Sequence, residues 1–129
     1  MLSERACAAM IPASDFGRAK KWYAETLGFQ PAFEDPNGAR FVCAEGTEFW
    51  VYPSQFAGTG KQTVLSFFTT EIEKDVAELK DGGVTFESYD FPELKTDDTG
   101  IASAGPGQRA AWFKDSEGNI LSLFEGFPR

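Results

Sequence analysis

The sequence repeats its own pattern. Near its end, Ala111-Trp112-Phe113-Lys114-Asp115-Ser116-Glu117-Gly118-Asn119-Ile120-Leu121-Ser122-Leu123-Phe124-Glu125 sets two apolar runs around a cluster of turn formers. That is the pattern of a β-hairpin whose turn needs a positive φ near Gly118 or Asn119. A weaker copy, Phe41-Val42-Cys43-Ala44-Glu45-Gly46-Thr47-Glu48-Phe49-Trp50-Val51-Tyr52, lies in the first half. A chain built from two copies of one unit must bury the same faces twice, which leaves few architectures open.

Both copies follow a strand and a helix. Ala6 to Ile11 reads as a short buried strand ended by Pro12. Ser14 is the expected N-cap, with Asp15 in the first turn, an apolar face at Phe16, Ala19, Tyr23 and Leu27, and Gly28 as the stop. Three strands are expected next, at Gln30 to Glu34, Ala39 to Ala44 and Thr47 to Tyr52. Gln55 to Lys61, with few large side chains between its ends, reads as a linker. Thr63 to Thr69 then restarts the order as a strand, and Thr70 with Glu73 forms a capping box. The second helix buries Ile72, Val76 and Leu79 and stops at Gly82-Gly83, and Val84 to Tyr89, Arg109 to Lys114 and Ile120 to Glu125 supply three more strands.

The offset from Ser14 to Thr70 is 56 and from Gly46 to Gly118 is 72, and the difference of 16 matches the excess length of the polar stretch Asp90 to Gln108. The expectation is an α+β chain of two tandem βαβββ modules, residues 1–54 and 62–129 joined by the linker 55–61, forming one domain over 1–129. Each helix would cover one face of a curved mixed sheet, and the opposite faces would enclose a cavity. The 90–108 loop is either a lid with glycine hinges at Gly100, Gly105 and Gly107, or a dimer-swapped or tolerated insertion.

Composition narrows the chemistry. At 129 residues the chain can bury a sizeable core, and its thirteen Phe make the interior or a cavity unusually aromatic. A net charge of −8 without a basic stripe argues against nucleic acid and anionic membrane as partners. Cys7 and Cys43 read as reduced, mostly buried thiols of a cytoplasmic protein, and no stretch suggests a secretory leader or a membrane span. The absence of histidine removes Ser/His and Cys/His nucleophile pairs and ordinary zinc sites. Acid–base work would fall to carboxylates, Lys, Tyr or Cys with shifted pKa values.

Two segments carry a resemblance. Ile11-Pro12-Ala13-Ser14-Asp15-Phe16-Gly17-Arg18-Ala19-Lys20-Lys21-Trp22-Tyr23-Ala24-Glu25-Thr26-Leu27-Gly28-Phe29, together with Ala111 to Asn119, resembles the vicinal oxygen chelate superfamily of glyoxalase I, bleomycin-resistance proteins and extradiol dioxygenases. The resemblance implies paired βαβββ modules, usually a homodimer. It also implies a divalent metal held by His, Gln or Glu at positions that here are Ala8, Trp50, Val64 and Ser122. Only Ser122 offers an oxygen, and a neutral hydroxyl is a weak ligand. Glu48 and Gln62 stand two residues away and Glu125 three, so no metal or other cofactor is expected, with a divalent metal as the alternative.

If strand parity holds, Trp50, Tyr52, Trp112, Ser122 and Phe124 face the inter-module cavity while Leu121 and Leu123 pack under a helix. Arg109, at the base of the loop, would be available for an anionic group. Trp22 and Tyr23 are expected in the core or at a dimer contact. The leading expectation is a metal-free homodimer that binds a small aromatic or amphipathic molecule, its acidic surface suiting a cation. The alternatives are a glyoxalase- or dioxygenase-type enzyme using Glu48, Glu125 or Tyr52, and an interaction module with a filled cavity.

Overall fold

A computed structural model describes residues 1–129. In the first half, β1 (Ala9–Ala13), α1 (Phe16–Leu27), β2 (Phe33–Asp35), β3 (Gly38–Val42) and β4 (Glu48–Pro53) form a sheet of order β1-β4-β3-β2. The second half has β5 (Thr63–Thr69), α2 (Ile72–Asp81), a small hairpin of β6 (Asp90–Phe91) and β7 (Leu94–Lys95), then β8 (Ile101–Gly105), β9 (Gln108–Lys114) and β10 (Ile120–Glu125). Its main sheet has the matching order β5-β10-β9-β8. In each sheet the first strand runs parallel to the last, and the other pairs are antiparallel.

Register reproduces the repeat. Met10 pairs with Trp50 in the first sheet and Ser66 with Ser122 in the second. The two pairs are related by the offsets of 56 and 72 read from the sequence. Gly118 takes a φ of 86° in the β9–β10 turn, a conformation that costs glycine little.

Several boundaries differ. β1 runs from Ala9 through Pro12 instead of stopping before it, because β1 is an edge strand whose outer side needs no N–H donor. The N-cap of α1 is Asp15, whose side chain accepts from the Arg18 amide at 2.9 Å, while the Ser14 hydroxyl turns to Glu117. The N-cap of α2 is Glu71 instead of Thr70, and Thr69 Oγ1 accepts the Glu71 amide at 2.9 Å. Cys7 is exposed and Cys43 half-buried, and both thiols are free.

The largest difference lies in the second module. Val84 to Tyr89 pairs with the β9 backbone through no more than a bridge of Phe86 to Phe113 and a hydrogen bond from the Glu87 amide to the Trp112 carbonyl at 2.8 Å, so it is not a strand. The chain then leaves for the β6–β7 hairpin and returns to the same edge of β9 as β8. The 90–108 stretch therefore contains the fourth strand of the sheet. Ala102, Ser103 and Ala104 are small, and Gly100 and Gly105 flank them, so no apolar alternation announced it. Ile101 and Ala102 are nonetheless buried.

One core serves both modules. Ala19 and Tyr23 of α1, Ile72 and Val76 of α2, Phe41, Phe49 and Val51 of the first sheet, and Phe113, Leu121 and Leu123 of the second form a single cluster. Phe67 of β5 stacks on Phe29 at 5.9 Å between ring centroids and meets Phe49 edge-on at 6.2 Å. The helix-covered faces of the two sheets thus share one core. No helix is long and apolar enough to cross a membrane.

Candidate functional site

The two segments that carried the resemblance bind each other. Asp115 Oδ1 accepts the amides of Glu117 and Asn119, each at 2.9 Å, and its Oδ2 accepts the Tyr23 hydroxyl at 2.8 Å and Asn119 Nδ2 at 2.9 Å. Asn119 also donates to the Pro12 carbonyl at 2.7 Å and accepts the Gly58 amide of the linker at 3.1 Å. Glu117, with no side-chain exposure, accepts the Asp15 amide at 2.8 Å, Arg18 Nε at 2.8 Å and Nη2 at 3.0 Å, and the Ser14 hydroxyl at 3.1 Å.

Burial alone would raise the Glu117 pKa, but hydrogen bonds from Arg18, the Asp15 amide, Ser116 and Ser14 outweigh it and hold it at about 2. Burial and the neighbouring Asp115 push the Tyr23 hydroxyl far above its ordinary value. No buried side-chain polar atom lacks a partner. This cluster positions the modules and leaves nothing free to react.

The open faces are aromatic. On the first sheet Phe49 and Val51 are buried in the core, so Trp50 and Tyr52 face outward. Trp50 lies 5.9 Å from the ring of Phe33, and Met10, its partner on β1, is 53% exposed. Arg40, paired across the sheet with Trp50, holds Glu48 in an ion pair at 2.5 Å. On the second sheet Leu121 and Leu123 are in the core, so Ser122 and Phe124 lie on the opposite face, where Ser122 is itself buried, with Trp112 directly across from it. Tyr89 meets Trp112 at 5.5 Å and stacks on Phe91 at 6.1 Å, while Phe124 touches Phe68 at 6.2 Å.

The expected site residues therefore divide into two groups. Trp112, Ser122 and Phe124 share one face, and Trp50 and Tyr52 share another. No cavity within one chain unites them: the cleft of about 510 Å³ between the modules is lined by Glu48, Phe49, Ser66 and Phe68 instead. None of the larger clefts is lined by members of both groups.

Arg109 is placed differently again. It alternates onto the helix-covered side with Ala111 and Phe113, where its guanidinium holds Glu125 at 2.7 Å and Glu73 at 2.6 Å. It is committed to carboxylates and is not poised for an anion. Sequence reasoning missed Tyr89, Phe91 and Leu94, which with Trp112, Lys61 and Gln62 line a cleft of about 670 Å³. The β6–β7 hairpin forms one wall of it. The alternation of Tyr89 and Phe91, inside an otherwise polar stretch, was the available signal.

The side chains present do not fit a family-type divalent metal. Ala8, Val64 and Trp50 carry no ligating atom, and the Ser122 hydroxyl is buried against that of Ser66 at 2.7 Å. Glu48 is held by Arg40. Glu125 accepts the Ile72 amide at 3.1 Å and pairs with Arg109, and the amide above all, with Arg109, lowers its pKa against the opposing effect of burial. No three His, Cys, Asp or Glu side chains gather in one place.

Known proteins share this architecture. A glyoxalase family protein from Enterococcus faecalis superposes with a TM-score of 0.70 at 24% identity, covering 97% of this chain and all 100% of that one. TnmS3, an antibiotic binding protein from Streptomyces sp. CB03234, gives a TM-score of 0.63 at 22% identity over 94% of this chain and 96% of its own. A lactoylglutathione lyase from Agrobacterium tumefaciens gives 0.67 at 14% identity over 95% of this chain and 93% of its own. At these identities the likeness is one of fold. No curated protein matches the chain. The model of the glyoxalase/bleomycin resistance protein/dioxygenase superfamily matches residues 7–123, nearly the whole length, and the chain belongs to that superfamily.

Proposed function

We propose that the chain binds a small aromatic or amphipathic molecule between two copies of itself, without a metal. The observation that carries this reading is the presence of two aromatic half-walls facing away from one shared core. Trp50 and Tyr52 lie on one sheet, and Trp112 and Phe124 on the other. In a symmetric pair, the first open face of one copy would meet the second open face of its partner, twice over. That closes two cavities with aromatic walls and few polar groups, suited to a flat ligand. Exposed Met10, Phe33 and Phe68 would be covered in such a pair. The antibiotic binding protein among the structural neighbours supports the reading by fold alone.

Sedimentation velocity and a thermal-shift screen of small molecules test it together. Expected are a dimer at micromolar concentration and aromatic hits whose stabilisation disappears in Trp50→Ala. A monomer at all concentrations, or hits indifferent to Trp50→Ala, would overturn the shared-cavity reading.

A further inference from the structure

The segment Gly126–Arg129 doubles back over the open face of the second sheet. Its Phe127 ring stacks on Phe124 with centroids 4.5 Å apart and planes 27° from parallel. Arg129 places its guanidinium 5.0 Å from the centroid of the Phe68 ring, and Phe68 is itself 49% exposed. The same guanidinium pairs with Glu45, which comes from the first module. Arg129 stands where two clefts meet, one of about 510 Å³ reaching toward Glu48 and Ser66, the other of about 550 Å³ between Phe124 and Glu71.

An aromatic face beside a carboxylate is how proteins recognise organic cations, and the Arg129 guanidinium is such a cation. Here the chain supplies both the receptor and the occupant. The hold is weak, because the Arg129 and Glu45 side chains are 41% and 67% exposed and exposed ion pairs contribute little.

We propose that Phe68 and Phe124, with Glu45 at the rim, form a recognition site for a planar organic cation, which Phe127 and Arg129 occupy as an internal competitor. The proposal rests on the reading that the second open face takes a small aromatic molecule, and it adds the charge of that molecule. The ligand ring takes the place of Phe127, and its cationic group takes the place of Arg129. The net charge of −8 raises the local concentration of cations around the protein. An occupied site lowers apparent affinity by the fraction of time it is closed, so removing the occupant must tighten binding.

The experiment is a fluorescence titration of the full chain with proflavine, a planar cation, against the anionic dye anilinonaphthalene sulfonate. Arg129→Ala is expected to tighten proflavine binding about five-fold, and Phe127→Ala to act in the same direction. Phe124→Ala, checked for folding by circular dichroism, is expected to weaken it by at least about five-fold. The anionic dye should gain nothing from Arg129→Ala. Unchanged or weaker proflavine binding in Arg129→Ala overturns the proposal. If proflavine binding is lost in Trp50→Ala yet indifferent to Arg129→Ala and Phe124→Ala, the cation site falls while the shared-cavity reading stands. If neither proflavine nor any screened compound binds, both fall.

Discussion

Glu117 shows how one side chain can hold two modules in register. Its carboxylate accepts five hydrogen bonds, four of them from Ser14, Asp15 and Arg18 at the start of α1 and the fifth from Ser116. Its pKa is held at about 2 against an ordinary value of 4.5, so the folded state favours the ionised form. The stability this contributes is fully present above pH 4.5 and is lost as pH falls from 4.5 toward 2. For a side chain this buried the contribution is of the order of ~3 kcal/mol. Glu117→Gln is expected to lower Tm at neutral pH and to flatten the fall of Tm across that acid window. A pH series by calorimetry checks it, and a slope unchanged from wild type would show that other carboxylates carry the acid sensitivity.

At the scale of elements, the linker is a structural part and not a spacer. Gly58 has a φ of 70°, and a Cβ there would lie 2.6 Å from the Glu117 carbonyl oxygen, while its amide is bound by Asn119. Gly58→Ala is therefore expected to cost about 1–3 kcal/mol through backbone strain and loss of the close approach. Denaturant titration measures this, and a neutral result would mean that the linker can leave the β9–β10 turn without penalty. The β6–β7 hairpin teaches a different lesson. Its length was legible as an excess of residues between two copies of a repeat. Its pairing depends on a few main-chain contacts, such as the Thr96 amide on the Tyr89 carbonyl at 2.9 Å, which leave no mark in the side-chain pattern.

For the whole molecule, the core shared by both modules is expected to make them unfold as one unit. Phe67 of the second module packs on Phe29 and Phe49 of the first. Phe67→Ala is expected to destabilise the chain by about 2 kcal/mol, less than truncation of a fully buried Phe because Phe67 is half-buried, while leaving a single cooperative transition. Two resolved transitions in calorimetry would show that the modules unfold separately. The same shared core leaves Trp50 and Tyr52 on one sheet and Trp112 and Phe124 on the other facing away from it.

The sequence by itself determined the doubled βαβββ order, the offsets that relate the two copies, and the alternation that sets Trp50, Tyr52, Trp112, Ser122 and Phe124 opposite the helix-packed residues of their strands. These follow from local periodicity and turn chemistry, which act within a few residues of each position. It also showed that three of the four positions implied by the resemblance, Ala8, Trp50 and Val64, carry no ligating atom and that the fourth is a serine, because that depends only on side-chain identity. Only the tertiary structure decided which faces of the two sheets meet, that Arg109 is consumed by Glu73 and Glu125, and that Ile101–Gly105 completes the second sheet. Each of those depends on partners distant in sequence, and a sheet that is apolar on both faces does not disclose which face will be buried.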